Sequence, residues 1–133
     1  MDKTGIYLIY METRKQIIGQ LGEKIAENYL IRKGYQIIDK NYRQTWGEID
    51  IIAKKNKTWF FVEVKTMIKF GDSEQNLTPE DQMTKSKIKK LNRTILGYLN
   101  HFHIDEEWQL DLIAIEIDRG ERKYHLRHFK QIA

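Results

Sequence analysis

Apolar residues recur three and four apart at Ile18, Leu21, Ile25 and Tyr29, which predicts an amphipathic helix from about Lys15 to Lys33. Gly34 follows and can end that helix in the left-handed conformation. Three short segments then have strand character: Tyr35 to Tyr42, Gly47 to Ala53 and Thr58 to Lys65. Each is rich in Ile, Val or aromatic residues and is bounded by polar stretches suited to turns. Lys54-Lys55-Asn56-Lys57 is short and polar enough to close the second and third into a hairpin. Beyond a polar loop from Thr66 to Pro79, the positions Ile88, Leu91, Ile95, Tyr98, Leu99 and Phe102 share one face at helical spacing. They predict a second helix that starts at Pro79 or Thr84 and reaches His101. Trp108 to Ile117 and Lys123 to Phe129 read as two last strands, joined by the turn Asp118-Arg119-Gly120-Glu121. The order αβββαββ describes an α/β fold, a mixed central sheet flanked by helices.

At 133 residues, without a repeat or a Gly/Ser- or Pro-rich linker, the chain fits one domain. The net charge of +4 favours a polyanionic partner only mildly, so where the charges fall matters more than their sum. The absence of cysteine excludes disulfides, thiol nucleophiles and Cys-containing zinc sites, leaving carboxylates, hydroxyls, histidines and lysines to carry chemistry. No apolar run approaches the roughly 20 residues that cross a bilayer. The segment Met1 to Glu12 has neither a basic n-region of any size nor a small-residue cleavage site, so a cytoplasmic protein without a membrane partner is expected.

Candidate chemistry sits on the second and third strands. Alternation of side chains puts Glu48, Asp50 and Ile52 on one side of the second strand, and Trp59, Phe61, Glu63 and Lys65 on one side of the third. A loop of two or four residues between them gives opposed positions odd index sums, which merges these two sides into one face. Setting Ala53 opposite Thr58 places Glu48 across from Glu63, with Asp50 diagonal to it. Carboxylates held that close repel one another, and at least one must take up a proton unless a cation sits between them. Magnesium, or manganese, suits such a pair, because it prefers hard oxygen ligands, needs one or two carboxylates and completes its shell with water and phosphate oxygens. Lys65 would position the attacking water or neutralise the phosphate. The residues alone leave open a structural ion-pair cluster in the same place. Glu63 and Lys65, however, end a Trp-Phe-Phe-Val run where unpaired charge is disfavoured.

Glu23 lies at the edge of the first helix's apolar face, beside Gly19 and Leu30, and could reach the acidic side of the sheet. In the second helix Lys85, Lys89, Lys90 and Arg93 spread opposite the apolar stripe and Lys87 flanks it, a basic face that could track a phosphate backbone or only keep the surface hydrated. The histidines suggest no metal site: His101 and His103 are two apart at a helix end, while His125 and His128 differ in parity on a strand.

Gly19-Gln20-Leu21-Gly22-Glu23-Lys24-Ile25-Ala26, Asn41-Tyr42-Arg43, Gly47-Glu48-Ile49-Asp50 and Val62-Glu63-Val64-Lys65 together resemble the YraN-like family of small bacterial proteins. That family is similar to the restriction-endonuclease-like superfamily, with archaeal Holliday junction resolvases among its nearer relatives. The likeness spans residues 13–133 and leaves residues 1–12 as an N-terminal extension. It implies metal ligation by Asp50 and Glu63, a catalytic Lys65, and Glu23 as the helical acid that completes the site. Arg43 and Lys87 also match positions of the family's pattern, and together with Lys89 and Lys90 of the basic helix face they are the candidate nucleic-acid contacts. Glu48, Asp111 and His128 match further positions of the family's pattern. Two departures stand out: Met67 occupies a place where the family usually has arginine, and Gln109 stands near where another is common. The expectation is therefore a metal-dependent phosphodiester hydrolase acting on DNA, with branched or recombination intermediates among its candidate substrates. A nucleic-acid-binding module without turnover is the main competitor. An adaptor, joined as a homodimer through exposed strands or the N-terminal segment, is the third.

Overall fold

The computed structural model describes residues 3–69 and 77–133; the middle of the expected loop from Thr66 to Pro79 falls outside them. Helix α1 spans Lys3–Arg32 and strands β1 to β3 span Gln36–Gln44, Gly47–Lys55 and Thr58–Lys69. A 3-10 turn over Pro79–Gln82 precedes α2 at Lys85–His101, and β4 and β5 cover Trp108–Asp118 and Lys123–Phe129. The αβββαββ order is that expected from the sequence. The five strands form one sheet in chain order, antiparallel except for β3 and β4, which run parallel. A parallel pair needs a crossover, and α2 supplies it. No helix among the described residues is long and apolar enough to cross a membrane.

The helices cover opposite faces of the sheet. Under α1, Ala26 and Leu30 pack on Ile51, Phe60, Val62, Ile113 and Ile115. Under α2, Leu91, Ile95, Tyr98 and Leu99 pack on Ile52, Phe61 and Leu110. Neighbouring residues such as Phe60 and Phe61 thus serve different cores, as pleating requires. Gly34 has φ 91 and ends α1 as predicted, with Tyr35 N–H donating to Leu30 O and Gly34 N–H to Ile31 O, the paired bonds of a Schellman cap. Thr84 caps α2 by accepting from Lys87 N–H.

Four features differ from the expectation, the first being β3, which runs on through Thr66 to Lys69 where a loop was expected. Helix α1 begins at Lys3 rather than near Lys15, so it runs without a break through the boundary drawn at residue 13. Its inward face is Gly22, Ala26 and Leu30, all buried, while Leu21 is 49% exposed. Small residues win that face because α1 lies close against β3: a Cβ on Gly22 would sit 1.8 Å from Thr66 Oγ1. The β2–β3 connection is a two-residue turn, Asn56-Lys57, with Lys55 paired to Thr58 in place of Ala53. Asn56 takes φ 57, a left-handed conformation that asparagine tolerates.

Candidate active site at the open end of the β2–β3 ladder

Pairing of β2 with β3 ends at Ile51–Val62, whereas β2 stays paired with β1 to its first residue, Gly47–Gln44, and β3 stays paired with β4 to Lys69–Asp118. The start of β2 therefore splays from β3 and opens a gap in the sheet. Strand β2 also turns over there. Ile49 packs in the core under α2 and Ile51 in the core under α1, although residues two apart on a regular strand share a face. The expected grouping of Glu48, Asp50 and Ile52 on one side is thereby broken, since Asp50 faces the α1 side and Ile52 the α2 side. In the gap Asp50 Oδ2 accepts a hydrogen bond of 2.8 Å from Val64 N–H, a donor the ladder no longer pairs with β2.

The register corrects the expected facing pair. Continued by one residue past Ile51–Val62, it sets Asp50 rather than Glu48 against Glu63. Glu48 is instead largely exposed and ion-paired with Arg43 at 3.4 Å. Lys65 Nζ stands 3.5 Å from Glu63 Oε1, and both side chains are mostly covered, 23% and 14% exposed. Glu23 approaches from α1, drawn in by the close Gly22–Thr66 contact one residue earlier. Glu23, Asp50, Glu63 and Lys65 together line a cleft of 610 Å³.

Burial and mutual repulsion raise both central acids. Desolvation lifts Asp50 to about 6, with Glu23 and Glu48 adding to the rise and the Val64 bond and Lys65 opposing it. Desolvation also lifts Glu63, to about 8, with the Asp50 charge beside it and Lys65 again in opposition. Crowded oxygen donors of this kind favour a divalent cation, whose charge removes the conflict. Among the described residues, no group of three or more His, Asp or Glu side chains is arranged to hold a metal unaided. Two carboxylates nevertheless meet the needs of magnesium when water and a phosphate supply the other ligands.

Basic side chains flank the acids on both faces. Arg14 and Lys15 line the same cleft on the α1 side. Lys87 and Lys90 line a second cleft of 370 Å³ under α2, which shares Glu48, Glu63 and Lys65 with the first. Lys89 is exposed and borders neither cleft, and Arg43 reaches the site only through Glu48. Arg14 and Lys15 were not singled out from the sequence; the signal for Lys15 is helical spacing, since Lys15, Gly19 and Glu23 recur four apart.

Asp111 and His128 lie apart from the cleft linings. His128 Nε2 is 2.8 Å from Asp111 Oδ2 and its Nδ1 is 2.9 Å from the Tyr29 hydroxyl. A neutral ring satisfies both, donating at Nε2 and accepting at Nδ1. Burial pushes the Asp111 carboxyl up, but bonds from His128, Gln131 N–H and Gln109 outweigh it and hold the group below its ordinary range. Gln109, one of the two departures from the family's arginines, is thus a donor in this network at 2.8 Å. Arg127 bonds both oxygens of Glu80 and also Glu116, which fixes the 3-10 turn that carries Gln82 to the wall of the α1-side cleft.

Comparison with known proteins adds a family. A family model described as "Uncharacterised protein family UPF0102" matches residues 22–115, a span that includes Glu23, Asp50, Glu63 and Lys65. A UPF0102 protein of Alkaliphilus oremlandii is 41% identical over 116 residues, covering 85% of this chain and 94% of the relative. One from Chlorobaculum tepidum is 40% identical over 122 residues, with 86% and 90% covered. Another, from Campylobacter fetus subsp. fetus, is 39% identical over 106 residues, with 80% and 89% covered.

Proposed function

This chain belongs to the UPF0102 family, the YraN-like family that its motifs resemble, and we propose that it is a divalent-metal-dependent phosphodiester hydrolase acting on DNA. One observation carries the reading: Asp50 and Glu63, both raised by burial and crowding, meet at the gap in the sheet with Lys65 beside them. Asp50 and Glu63 are the residues that would hold magnesium or manganese. When bound, the ion would supply neutralising charge for a phosphate and a Lewis acid for the attacking water.

The side chains divide the remaining tasks. Asp50 is held in place by Val64 N–H, which fixes one carboxylate oxygen and leaves the other for the cleft. Lys65, a cation in a partly dry pocket, offsets the charge that develops on the phosphate oxygens and orients the nucleophilic water. Glu23, facing Asp50 across the cleft, is placed to accept the proton that the water gives up. Arg14 and Lys15 on one side, with Lys87 and Lys90 on the other, hold backbone phosphates to either side of the scissile one.

The test is cleavage of branched, duplex and single-stranded DNA with magnesium or manganese, beside Asp50→Ala and Glu63→Ala. The expected result is metal-stimulated cleavage that both substitutions abolish; cleavage that survives them overturns the assignment. A binding module without turnover is the second reading, supported by Lys87 and Lys90, which line a cleft that Asp50 does not line. Salt-sensitive binding without metal-stimulated cleavage would select it.

A further inference from the structure

Gln44 pairs with Gly47, so β1 and β2 are joined by only Thr45 and Trp46. The turn pushes Trp46 outward and leaves it 49% exposed. One edge of the ring is nonetheless held: a Cβ on Gly97 would lie 3.6 Å from Trp46 Nε1, so the indole rests on α2 where that helix lacks a side chain. The other two tryptophans are engaged, Trp59 donating to Glu106 and Trp108 packing edge-on against Phe61. Trp46 is an aromatic surface fixed on one side and open on the other.

Its position connects it to the acidic cleft. Lys90 and Arg93 precede Gly97 by seven and four residues, and therefore lie on the same side of α2. Lys90 lines the cleft that Glu63 and Lys65 share, and so do Thr45 and Gly47 on either side of Trp46. A line of basic side chains thus runs from the acids to the indole, as a single strand needs when its phosphates follow cations and its bases meet an aromatic face.

We infer that Trp46 is a base-stacking residue, on which an unpaired nucleobase flanking the phosphodiester seats itself. The preferred substrate then has unpaired nucleotides at the cleavage point, as in a single strand, a flap or a branch. A continuous duplex is disfavoured, because its bases are already stacked and must first be pulled out at a cost. The inference rests on the hydrolase reading for the seat of the phosphodiester.

Binding in EDTA separates the two ideas, because no turnover is needed. Labelled single-stranded, forked and blunt duplex DNA are titrated with the full chain, with Trp46→Ala and with Trp46→Phe, and followed by anisotropy. Trp46→Ala is expected to lose about 5- to 150-fold in affinity for single-stranded and forked DNA, the loss of one stacked base at about 1–3 kcal/mol. Trp46→Phe should keep most of the affinity, and blunt duplex should bind all three alike. Unlabelled single strand should quench indole emission in the native chain and not in Trp46→Phe. Equal affinity of Trp46→Ala and the native chain for every substrate overturns the stacking role while leaving the hydrolase reading intact. Failure of the native chain to bind any nucleic acid, either in EDTA or with calcium added in its place, overturns both.

Discussion

Removing one charge from the acid pair should stabilise the metal-free protein, and the effect should appear only at higher pH. Glu63 titrates at about 8 in the fold against an ordinary 4.5. An acid raised by folding holds its proton more tightly in the native than in the unfolded state. Its stabilising contribution is therefore complete below pH 4.5 and is lost as the pH climbs through about 8. The difference of about 3.5 units, at 1.36 kcal/mol per unit, corresponds to roughly 5 kcal/mol for an isolated group. Glu63 and Asp50 titrate as a pair, so part of that belongs to Asp50, and about 2–4 kcal/mol falls to removing the Glu63 charge. Glutamine keeps the shape and cannot ionise.

Urea unfolding in EDTA, followed by circular dichroism at pH 4.5, 7 and 9, measures the effect. Glu63→Gln is expected to match the native chain at pH 4.5 and to exceed it by about 2–4 kcal/mol at pH 9. Titrations of groups remote from the acid pair cancel in the difference, while the Asp50 titration moves with the substitution as part of the measured effect. Magnesium should then raise the native chain at pH 9 and raise the variant less, because a ligand stabilises only the state that binds it. A variant less stable than the native chain at pH 9 without metal, or a difference that does not change with pH, refutes the reasoning.

Gly22→Ala should destabilise by about 1–3 kcal/mol in thermal melts, although alanine is ordinarily the better helix former, because the new methyl overlaps Thr66 Oγ1 at 1.8 Å. Adding Thr66→Gly should restore most of the loss; no recovery would place the cost elsewhere. Asp111→Ala should cost about 3–5 kcal/mol in the same melts, since it leaves His128, Gln109 and Gln131 N–H facing a buried void without their acceptor. A loss under about 1 kcal/mol would mean that water replaces the carboxylate.

What could be read from the sequence follows from how each element is stabilised. Helix α2 was legible because its apolar face is made of large residues at helical spacing, and four of them, Leu91, Ile95, Tyr98 and Leu99, are buried. The inner face of α1 was not, because it is carried by Gly22 and Ala26, whose value lies in the close approach they permit and not in hydrophobicity. The last residues of β3, Thr66 to Lys69, read as loop because they mix polar and apolar side chains. They are strand because β4 pairs with each of them through Asp118. The Asp111–His128–Tyr29 network joins residues up to 99 positions apart, and nothing local marks such a partnership.

The acid site shows the same limit at closer range. Alternation and an odd index sum were enough to bring the acids of β2 towards Glu63 and Lys65, but they could not say which acid. That choice depends on the hairpin turn. Because Asn56 accepts φ 57, the chain reverses in two residues, Lys54 and Lys55 stay in the strand, and the register sets Asp50 against Glu63. A four-residue reversal would shift the pairing by two positions and put Glu48 there instead. Glu48 now faces solvent beside Arg43, and Asp50 takes the buried place with a backbone donor from Val64. The opening of the ladder beyond Ile51 frees that donor, and the glycine-lined approach of α1 brings Glu23 to the same gap. The charges are thus assembled by three backbone events, a tight turn, a splayed strand and a close helix contact, each of which depends on residues that carry no charge in the cleft.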